Sequence, residues 1–418
     1  MASTKTDSVS VFAEGTYEEQ IQELVNYIVR SRSDEERAAF IRPFQESLKN
    51  EKGSKPLAED SERRKQLLSM VLDEVKGLGD GNEKEIEGFF NLLLAHFLTL
   101  YTLDSPEGTQ RLHTLLETVA KAPPEHISIK YRVLSNLFNA LPRNSPSRLA
   151  VYNTLLDLAT SNDELSVLQI SQDDVRTWLS EWAISQEQKT AFLKRIIDAY
   201  NTFGQPIPAY QYSLILVKFL PPGSPDSTTT VVDVIATALR LPTTFDFDSL
   251  LKIDGVIAVK THELFSLLQV FLNGGLKEFI AWEASHPGAL EKYNLKKTEL
   301  ERKIRLLALS SLGFKYVGQD LAYSKVAEAL QIDISEVEKW VIDVIRAGLL
   351  VGKLSQTQQT LHIIRSTART FEKEQWEVLE KRLLAWKAGL ASVLEVVASA
   401  RRAGGGGVPH ASAQTQTA

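Results

Sequence analysis

Apolar residues recur at intervals of three and four along most of the chain, which is the spacing of one helix face. The first such stripe contains Ile21, Leu24, Val25 and Ile28. Between residues 17 and 205, helical stripes follow one another roughly every 20 residues and form pairs of roughly 40. In a succession of this kind, each helix pair buries its apolar face against the next pair. The pattern predicts a mainly α fold that begins as a right-handed α-solenoid of helical repeats.

The pattern changes between residues 324 and 370. A short helix with Val326, Ala327 and Leu330 on one face precedes a second helix, which begins with a capping box from Ser335 to Glu338. Two stretches of alternating apolar and polar residues follow and predict a β-hairpin with its turn at 356–360. Helix, helix and hairpin is the order of a winged helix. We therefore expect a winged-helix subdomain with a small β-hairpin sheet.

The last predicted helix covers residues 371–402, and its apolar residues repeat at alternating steps of three and four. This is the a/d seam of a helix that packs lengthwise against other helices. The seam consists of Trp376, Leu379, Leu383, Trp386, Leu390, Val393 and Val397. No stretch of matching pattern and length is obvious elsewhere in the chain, so the pattern favours a partner in another protein. Docking of the first heptad onto the winged helix of the same chain remains the alternative.

These patterns divide the chain into predicted segments with distinct compositions. They are a disordered N-terminal tail (1–16), N-terminal helical repeats (17–205), the helical part of a second domain (206–323), the winged helix (324–370), the long C-terminal heptad helix (371–402) and a flexible Gly-rich tail (403–418). The N-terminal residues lack the apolar core of a signal peptide. The longest apolar run, 89–103, is shorter than the ~20 residues that span a bilayer, and it predicts a buried helix.

The amino-acid composition excludes some classes of function. The chain has 418 residues, a formal net charge of −6 and no cysteine. The absence of cysteine excludes disulfides, thiolate catalysis and cysteine-bound metals. The acidic net charge argues against bulk attraction to nucleic acid or anionic lipid, although a local patch would escape this argument.

The charge of the second helix in the winged helix distinguishes a DNA-binding role from a role in protein assembly. A DNA-facing helix needs Lys and Arg to contact phosphates. This helix instead carries Glu336, Glu338 and Asp343 against Lys339 and Arg346. An assembly role is therefore favoured over DNA binding.

No catalytic, cofactor or metal motif stands out in the sequence. The glycines at 77, 79 and 81 follow a helix rather than a strand, which argues against a phosphate-binding loop. The seven histidines lack metal-ligand spacing.

Trp178 and Trp182 lie four residues apart and are predicted to belong to the core, with ligand stacking as the less favoured alternative. Glu299 with Lys303 is an i,i+4 pair and predicts a solvated helix face. We expect a non-enzyme without cofactor, metal or small-molecule substrate.

Helical repeats that lead into a winged helix and then a long terminal helix resemble the PCI family, the scaffold subunits of the proteasome lid, the signalosome and eukaryotic translation initiation factor three. Short motifs make the resemblance to the initiation-factor members more specific. These motifs lie at 131–138, 144–148, 175–182, 341–346, 352–358, 365–367 and 371–376. One departure is Ser355, where many members of the family have an acidic residue, so the hydrogen bond expected there is in doubt.

The resemblance implies a non-catalytic scaffold subunit of a cytoplasmic complex. Its partners would be other PCI and MPN subunits of translation initiation factor three, and through the complex the small ribosomal subunit with initiator tRNA. It implies only indirect contact with mRNA and no contact with a membrane. A scaffold subunit of the signalosome or proteasome lid is the alternative. PCI subunits join laterally through their winged helices, and their terminal helices gather in a shared bundle.

The hairpin suggests how a winged helix would join a neighbour. A strand at the edge of a sheet has unpaired backbone groups that a strand from another protein can satisfy. We expect Leu361, His362, Ile363 and Ile364 to form that edge and, together with the heptad seam, the partner interface.

Overall fold

The computed structural model describes residues 15–48, 56–57, 59–370 and 373–404. These residues form two compact units, one up to Leu220 and the other from Pro221. The predicted N-terminal tail lies outside the described residues up to position 14, and the predicted Gly-rich tail lies outside them from position 405. The predicted boundary at 205/206 falls before a helix that packs within the first unit.

The first unit, called the N-terminal unit here, is entirely helical over its described residues. Its helices are α1 (Tyr17–Ile28), α2 (Asp34–Leu48), α3 (Ser61–Glu74), α4 (Glu83–Leu100), α5 (Pro106–Lys121), α6 (Ile127–Ala140), α7 (Ser147–Ser161), α8 (Gln172–Glu181), α9 (Gln186–Thr202) and α10 (Pro206–Phe219). Helices that are two apart in the sequence touch, as α5 does with α7, α7 with α9 and α8 with α10. This contact pattern is that of a stacked succession of helices.

One continuous apolar core fills the N-terminal unit from Ile21 to Leu220. Trp178 and Trp182 belong to it, with parallel rings whose centroids lie 5.7 Å apart. Trp182 is 2% exposed and packs against Phe192, so the core interpretation holds for this residue. At the surface, ion pairs connect helices that are two apart, as Arg111 of α5 does with Asp73 of α3 and Arg195 of α9 with Asp157 of α7.

The loop with three glycines wraps around a tyrosine. The Tyr27 hydroxyl donates to the Leu78 carbonyl at 2.8 Å, and its ring stacks on Phe89. A Cβ at Gly79 or Gly81 would lie 2.7–2.8 Å from atoms of the Tyr27 side chain. Gly79 also has φ = +79°, which side chains disfavour. Packing against Tyr27 therefore accounts for Gly79 and Gly81 without a phosphate, whereas a Cβ at Gly77 would meet nothing within 4 Å.

The second unit, called the C-terminal unit here, combines helices with a small sheet. Its elements are α11 (Pro225–Arg240), α12 (Asp248–Leu251), α13 (Asp254–Ala258), α14 (Glu263–Asn273), α15 (Leu276–Ser285), α16 (Ala289–Lys292), α17 (Lys297–Lys315), β1 (Asp320–Ala322), α18 (Tyr323–Leu330), α19 (Val337–Arg346), β2 (Leu350–Ser355), β3 (Thr360–Ser366) and α20 (Lys373–Gly404). Helix α17 is central, because it contacts α11, α15, α18, α19 and β3.

Lys303 of α17 corrects the prediction of a solvated face. Its side chain is 3% exposed, and its ammonium donates to the carbonyl oxygens of Ala238, Leu239 and Leu241 at 2.6–3.1 Å. These carbonyls lie at the end of α11, where a helix has no internal donors for its last oxygens. Lys303 therefore caps the C-terminal end of α11 from the neighbouring helix α17, instead of pairing with Glu299 in solvent.

The winged helix has a three-stranded sheet with the order β1-β3-β2. Both strand pairs are antiparallel, and β1 aligns Leu321 with Leu361 of β3. The sequence pattern missed β1, because only Leu321 is buried in this short strand and no alternation is visible. The expectation that 361–364 forms an unpaired edge is wrong, since β3 is the central strand.

The predicted capping box at Ser335 is also wrong. Residues Ile334–Glu336 form a turn of 3₁₀ helix, and α19 begins at Val337 without a side-chain cap. Apolar contacts hold α19 instead, since Val337, Val341 and Val344 are fully buried against the winged-helix core. The mainly α fold with stacked helices, a winged helix with a small sheet and a long C-terminal helix is confirmed.

Candidate functional site

The C-terminal helix exposes more large apolar side chains than any other element described. Trp376, Leu383, Trp386, Leu390, Val393 and Val397 of the predicted seam are 45–67% exposed. Surfaces of single proteins seldom display contiguous apolar patches of this extent unless they bind something. The seam is therefore the leading candidate for a partner interface.

The first turns of α20 separate one seam residue from the rest. Leu379 is only half-buried, and Gln375, Val378 and Arg382 share this partial burial. These positions are spaced at i, i+3, i+4 and i+7, so they lie on one face of the helix. Arg382 lies with its guanidinium over the Phe314 ring, 4.8 Å from the centroid, and donates to the Phe314 carbonyl. Docking within the chain thus involves the beginning of α20 and reaches the end of α17.

The second half of α20 is apolar over most of its circumference. Leu384, Leu394 and Val396 are 58–67% exposed although they do not belong to the predicted seam. A helix that is apolar on nearly every side is usually surrounded by other helices. The seam prediction missed these residues, although their apolar character outside the a and d positions was visible in the sequence.

The sheet of the winged helix offers β2 as an edge strand. Its Val351 and Leu354 are each 38% exposed. In β3, Leu361 and Ile363 are fully buried, whereas His362 and Ile364 face solvent. A register shift opposite Val351 and Gly352 leaves Ile364 without a partner in the ladder, and its side chain is 50% exposed. Of the predicted β3 residues, therefore, only two present their side chains to a partner.

His362 extends the contact between the strands of this sheet. Its Nδ1 lies 2.7 Å from Oδ1 of Asp320, the residue opposite it in β1. Both side chains lie on the solvent side of the sheet, where they are 48% and 60% exposed. The pair covers part of the face that a partner would meet.

The solvent side of α19 lacks the charges of a DNA-reading helix. Ile342 is 42% exposed at its centre, with Lys339 and Arg346 nearby. Asp343 pairs with Arg302 of α17 at 3.1 Å. A face with an exposed isoleucine and few cations suits a protein partner better than phosphates.

Three groups with pKa values displaced by burial contact the ends of helices. Burial lowers the pKa of Lys303 to about 7 and that of Arg369 to about 10. Burial also lowers the pKa of His262, whose Nδ1 accepts the Leu264 N–H at the start of α14. Within the part of the chain that the structure describes, no group of three His, Cys, Asp or Glu residues could hold a metal ion.

Length and composition alone would allow one described segment, Gln375–Arg402, to cross a membrane. It covers most of α20 and includes the whole exposed part from Leu383 to Arg402. The same length and apolar content are found in helices that pack among other helices.

Two family models match the C-terminal unit. The model of the PCI domain matches residues 283–365, from the end of α15 to β3. The model described as "eIF3 subunit M, C-terminal helix" matches residues 369–397, which contain most of α20.

Full-length relatives share this similarity. Eukaryotic translation initiation factor 3 subunit M of Phaeosphaeria nodorum is 31% identical over 407 residues, which cover 93% of this chain and 88% of the relative. The chain belongs to the eukaryotic translation initiation factor 3 subunit M family. The subunit M of Aspergillus terreus is 29% identical over 94% of the chain and 88% of the relative. That of Dictyostelium discoideum is 28% identical over 77% of the chain and 80% of the relative.

Membership in the subunit M family confirms the resemblance to the initiation-factor members of the PCI family, and the motifs quoted above resemble subunit M in particular. The model of the subunit M C-terminal helix covers Trp376, Leu383, Trp386, Leu390, Val393 and Val397. The helix that exposes the apolar seam is therefore itself a feature of this family.

Proposed function

We propose that this chain is a non-catalytic scaffold subunit of translation initiation factor 3, working in the cytoplasm. It supports assembly of the factor and, through the assembled factor, binding to the small ribosomal subunit with initiator tRNA and mRNA. Its direct partners are other PCI and MPN subunits, and its contact with mRNA is indirect. The observation that carries this proposal is the exposed apolar surface of α20, together with the subunit M family.

The seam supports assembly through the hydrophobic effect. Complete burial of a large aliphatic or aromatic side chain stabilises by about 1.5–3 kcal/mol. The seam side chains from Leu383 onward are 45–67% exposed, so roughly half of this gain is still available to a partner. Partner helices that cover the seam recover it, at the cost of fixing both molecules in one arrangement.

The winged helix contributes a second contact through β2. Its outer backbone groups lie at the sheet edge, where a strand from a neighbouring subunit can pair with them. Val351 and Leu354 supply apolar contacts along this edge, and Ile364 and His362 lie on the adjoining strand. The proposed pairing strand is therefore β2 instead of β3. Ile364 and His362 of β3 lie at the rim of the proposed contact.

Charging the seam tests the proposal. The double substitution Leu383→Glu with Leu390→Glu places two carboxylates where apolar contacts are needed, so co-purification with the other subunits should fall at least tenfold. Ser392→Glu with Ser399→Glu is the matched control, because it adds the same charge to the polar side of the same helix. Both variants should keep the thermal midpoint of the isolated chain, since α20 is exposed there. Normal occupancy of the Leu383/Leu390 variant in the factor would refute the proposal.

The identity of the captured partners separates this function from its alternative. Initiation-factor subunits and ribosomal proteins support the proposal, whereas signalosome or proteasome-lid subunits support a scaffold of those complexes. Direct DNA or RNA binding by the isolated chain would show a steep decrease of affinity with salt. We expect weak binding with little dependence on salt.

A further inference from the structure

The segment that connects β3 to α20 runs along α17 and makes hydrogen bonds to it. Ser366 Oγ donates to the Ser310 carbonyl at 2.8 Å, and Ser310 Oγ donates to the Thr367 carbonyl at 2.5 Å. Ser310 is 1% exposed, so these bonds are shielded from water. The connection is therefore fixed to the central helix of the unit.

Arg369 makes the next contact and reaches two helices at once. Its Nε donates to the Leu307 carbonyl of α17 at 2.9 Å, and its Nη1 donates to the Gly274 carbonyl just after α14 at 2.5 Å. The planar guanidinium holds its donors in a fixed fork, so two simultaneous bonds define its direction. Arg369 therefore fixes the chain shortly before α20 begins.

Arg382 makes the last contact, within α20 itself. It donates to the Phe314 carbonyl and lies over the Phe314 ring, near the end of α17. Cation–π contact and a charge-assisted hydrogen bond act on the same side chain. After Arg382, every residue of α20 from Leu383 to Arg402 is exposed. Arg382 thus separates the docked part of the helix from the part that is free to bind.

We propose that Arg369 and Arg382 are positioning residues that fix the direction of α20 relative to α17, so that its exposed part meets its partner helices in one orientation. Arg382 anchors the docked face of α20, which also contains the half-buried Gln375, Val378 and Leu379. Arg369 fixes the chain before the helix, and the two arginines together limit how far α20 can pivot on α17. An interface that is oriented before binding loses less conformational freedom on association. The assembly part of this inference rests on the proposed function, but the orientation itself does not.

The absence of cysteine makes the orientation directly measurable. Glu328→Cys on α18 and Ser392→Cys on α20 place one spin label on the winged helix and one on the exposed helix, both at exposed positions. Pulsed electron-paramagnetic-resonance spectroscopy of the full chain then gives the distance distribution between the labels. The parent should give one narrow distribution. Arg382→Met and the double variant Arg369→Met with Arg382→Met should broaden it at least twofold.

Two further variants separate positioning from general stability. Lys387→Met removes an exposed cation from α20 and should leave the distribution narrow. Arg382→Lys keeps a cationic donor and should restore most of the narrow distribution that Arg382→Met loses. If Arg369→Met unfolds the unit, as shown by its circular dichroism, the Arg382→Met result alone decides the matter. A distribution as narrow as the parent's in Arg382→Met, with Phe314 still in place, overturns the inference.

Co-assembly provides a second readout that keeps this inference apart from the proposed function. Arg382→Met should lower the rate of association with the remaining subunits severalfold while its thermal midpoint stays within a few degrees of the parent's. A parent chain that fails to associate refutes the proposed function, whatever the distance distribution. Broadened distances with unchanged association refute only the link between orientation and assembly.

Discussion

The ammonium of Lys303 lies 2.6 Å from the carbonyl oxygen of Leu241 and joins α17 to the end of α11. Two more carbonyls, those of Ala238 and Leu239, accept from the same group. A lysine can donate three hydrogen bonds, so all of its protons have acceptors here. The rings of Phe245 and Phe247 lie 5.1–5.8 Å from the ammonium and shield it from water.

Lys303→Met should destabilise the C-terminal unit by about 3 kcal/mol, because it leaves buried carbonyls without donors. Urea unfolding followed by circular dichroism measures this loss. Lys315→Met is the control, since it removes an exposed lysine from the same helix and should change stability by less than about 0.5 kcal/mol. Equal effects of the two substitutions would contradict a role for the carbonyl contacts.

Lys303 also shows why part of the fold could not be predicted from the sequence. The i,i+4 spacing of Glu299 and Lys303 is a local signal and correctly suggested a helix. The carbonyls that bury Lys303 come from α11, far away in the sequence, and no local pattern announces them. The strand β1 could not be predicted for a related reason. Only Leu321 is buried in this strand, and the pairing of Leu321 with Leu361 depends on the tertiary fold.

The exposed seam was predictable because a heptad pattern is local. Leu383, Trp386 and Leu390 are exposed, because they lie in the part of α20 beyond its contact with α17. The contact of Arg382 with Phe314 was not predictable, because neither residue type nor spacing marks it. The heptad periodicity thus indicated which face of α20 is apolar. The residue at which α20 becomes exposed depends instead on the tertiary contact of Arg382.

Gly352 of β2 should tolerate no side chain. A Cβ at this position would lie 2.6 Å from the His362 carbonyl, which is backbone of the central strand. Gly352→Ala should therefore push β2 away from β3 and cost about 1–3 kcal/mol. Hydrogen exchange of the β2 and β3 amides measures the loosening.

Gly389→Ala is the control for that substitution. A Cβ at Gly389 would meet nothing within 4 Å, and alanine favours the helix over glycine by about 1 kcal/mol. This variant should leave the exchange of β2 and β3 unchanged. Faster exchange of the sheet in Gly389→Ala, or unchanged exchange in Gly352→Ala, would argue against the close approach.

His262 should make the stability of the C-terminal unit depend on pH. Its Nδ1 accepts the Leu264 N–H at 3.2 Å, which requires that this nitrogen carry no proton. Burial keeps the pKa of His262 below its usual value. The stabilisation is therefore present above the unfolded pKa of about 6.5 and is lost as the pH falls through the lower folded pKa.

His262→Asn tests this dependence with a cap that does not titrate in this range. As the pH falls from 7.5 to 5, the parent should lose more stability than the variant, as measured by urea unfolding at each pH. Carboxylates elsewhere affect both proteins alike, so the difference isolates His262. Parallel pH profiles would show that protonation of His262 does not disturb the start of α14.

The second half of α20 should need partners on more than one side. Leu394 and Val396 lie on opposite flanks of the seam that contains Leu390 and Val397, and all four are exposed. A single partner helix covers a stripe narrower than this surface. Leu394→Glu and Val396→Glu should therefore each weaken co-assembly about as much as Leu390→Glu, by roughly tenfold for a loss of about 1.4 kcal/mol. Ser399→Glu, on the polar side of the helix, should have little effect, and pull-down with the remaining subunits measures all four. If only Leu390→Glu weakens binding, then α20 pairs with one helix along its seam and its other apolar side chains stay in solvent.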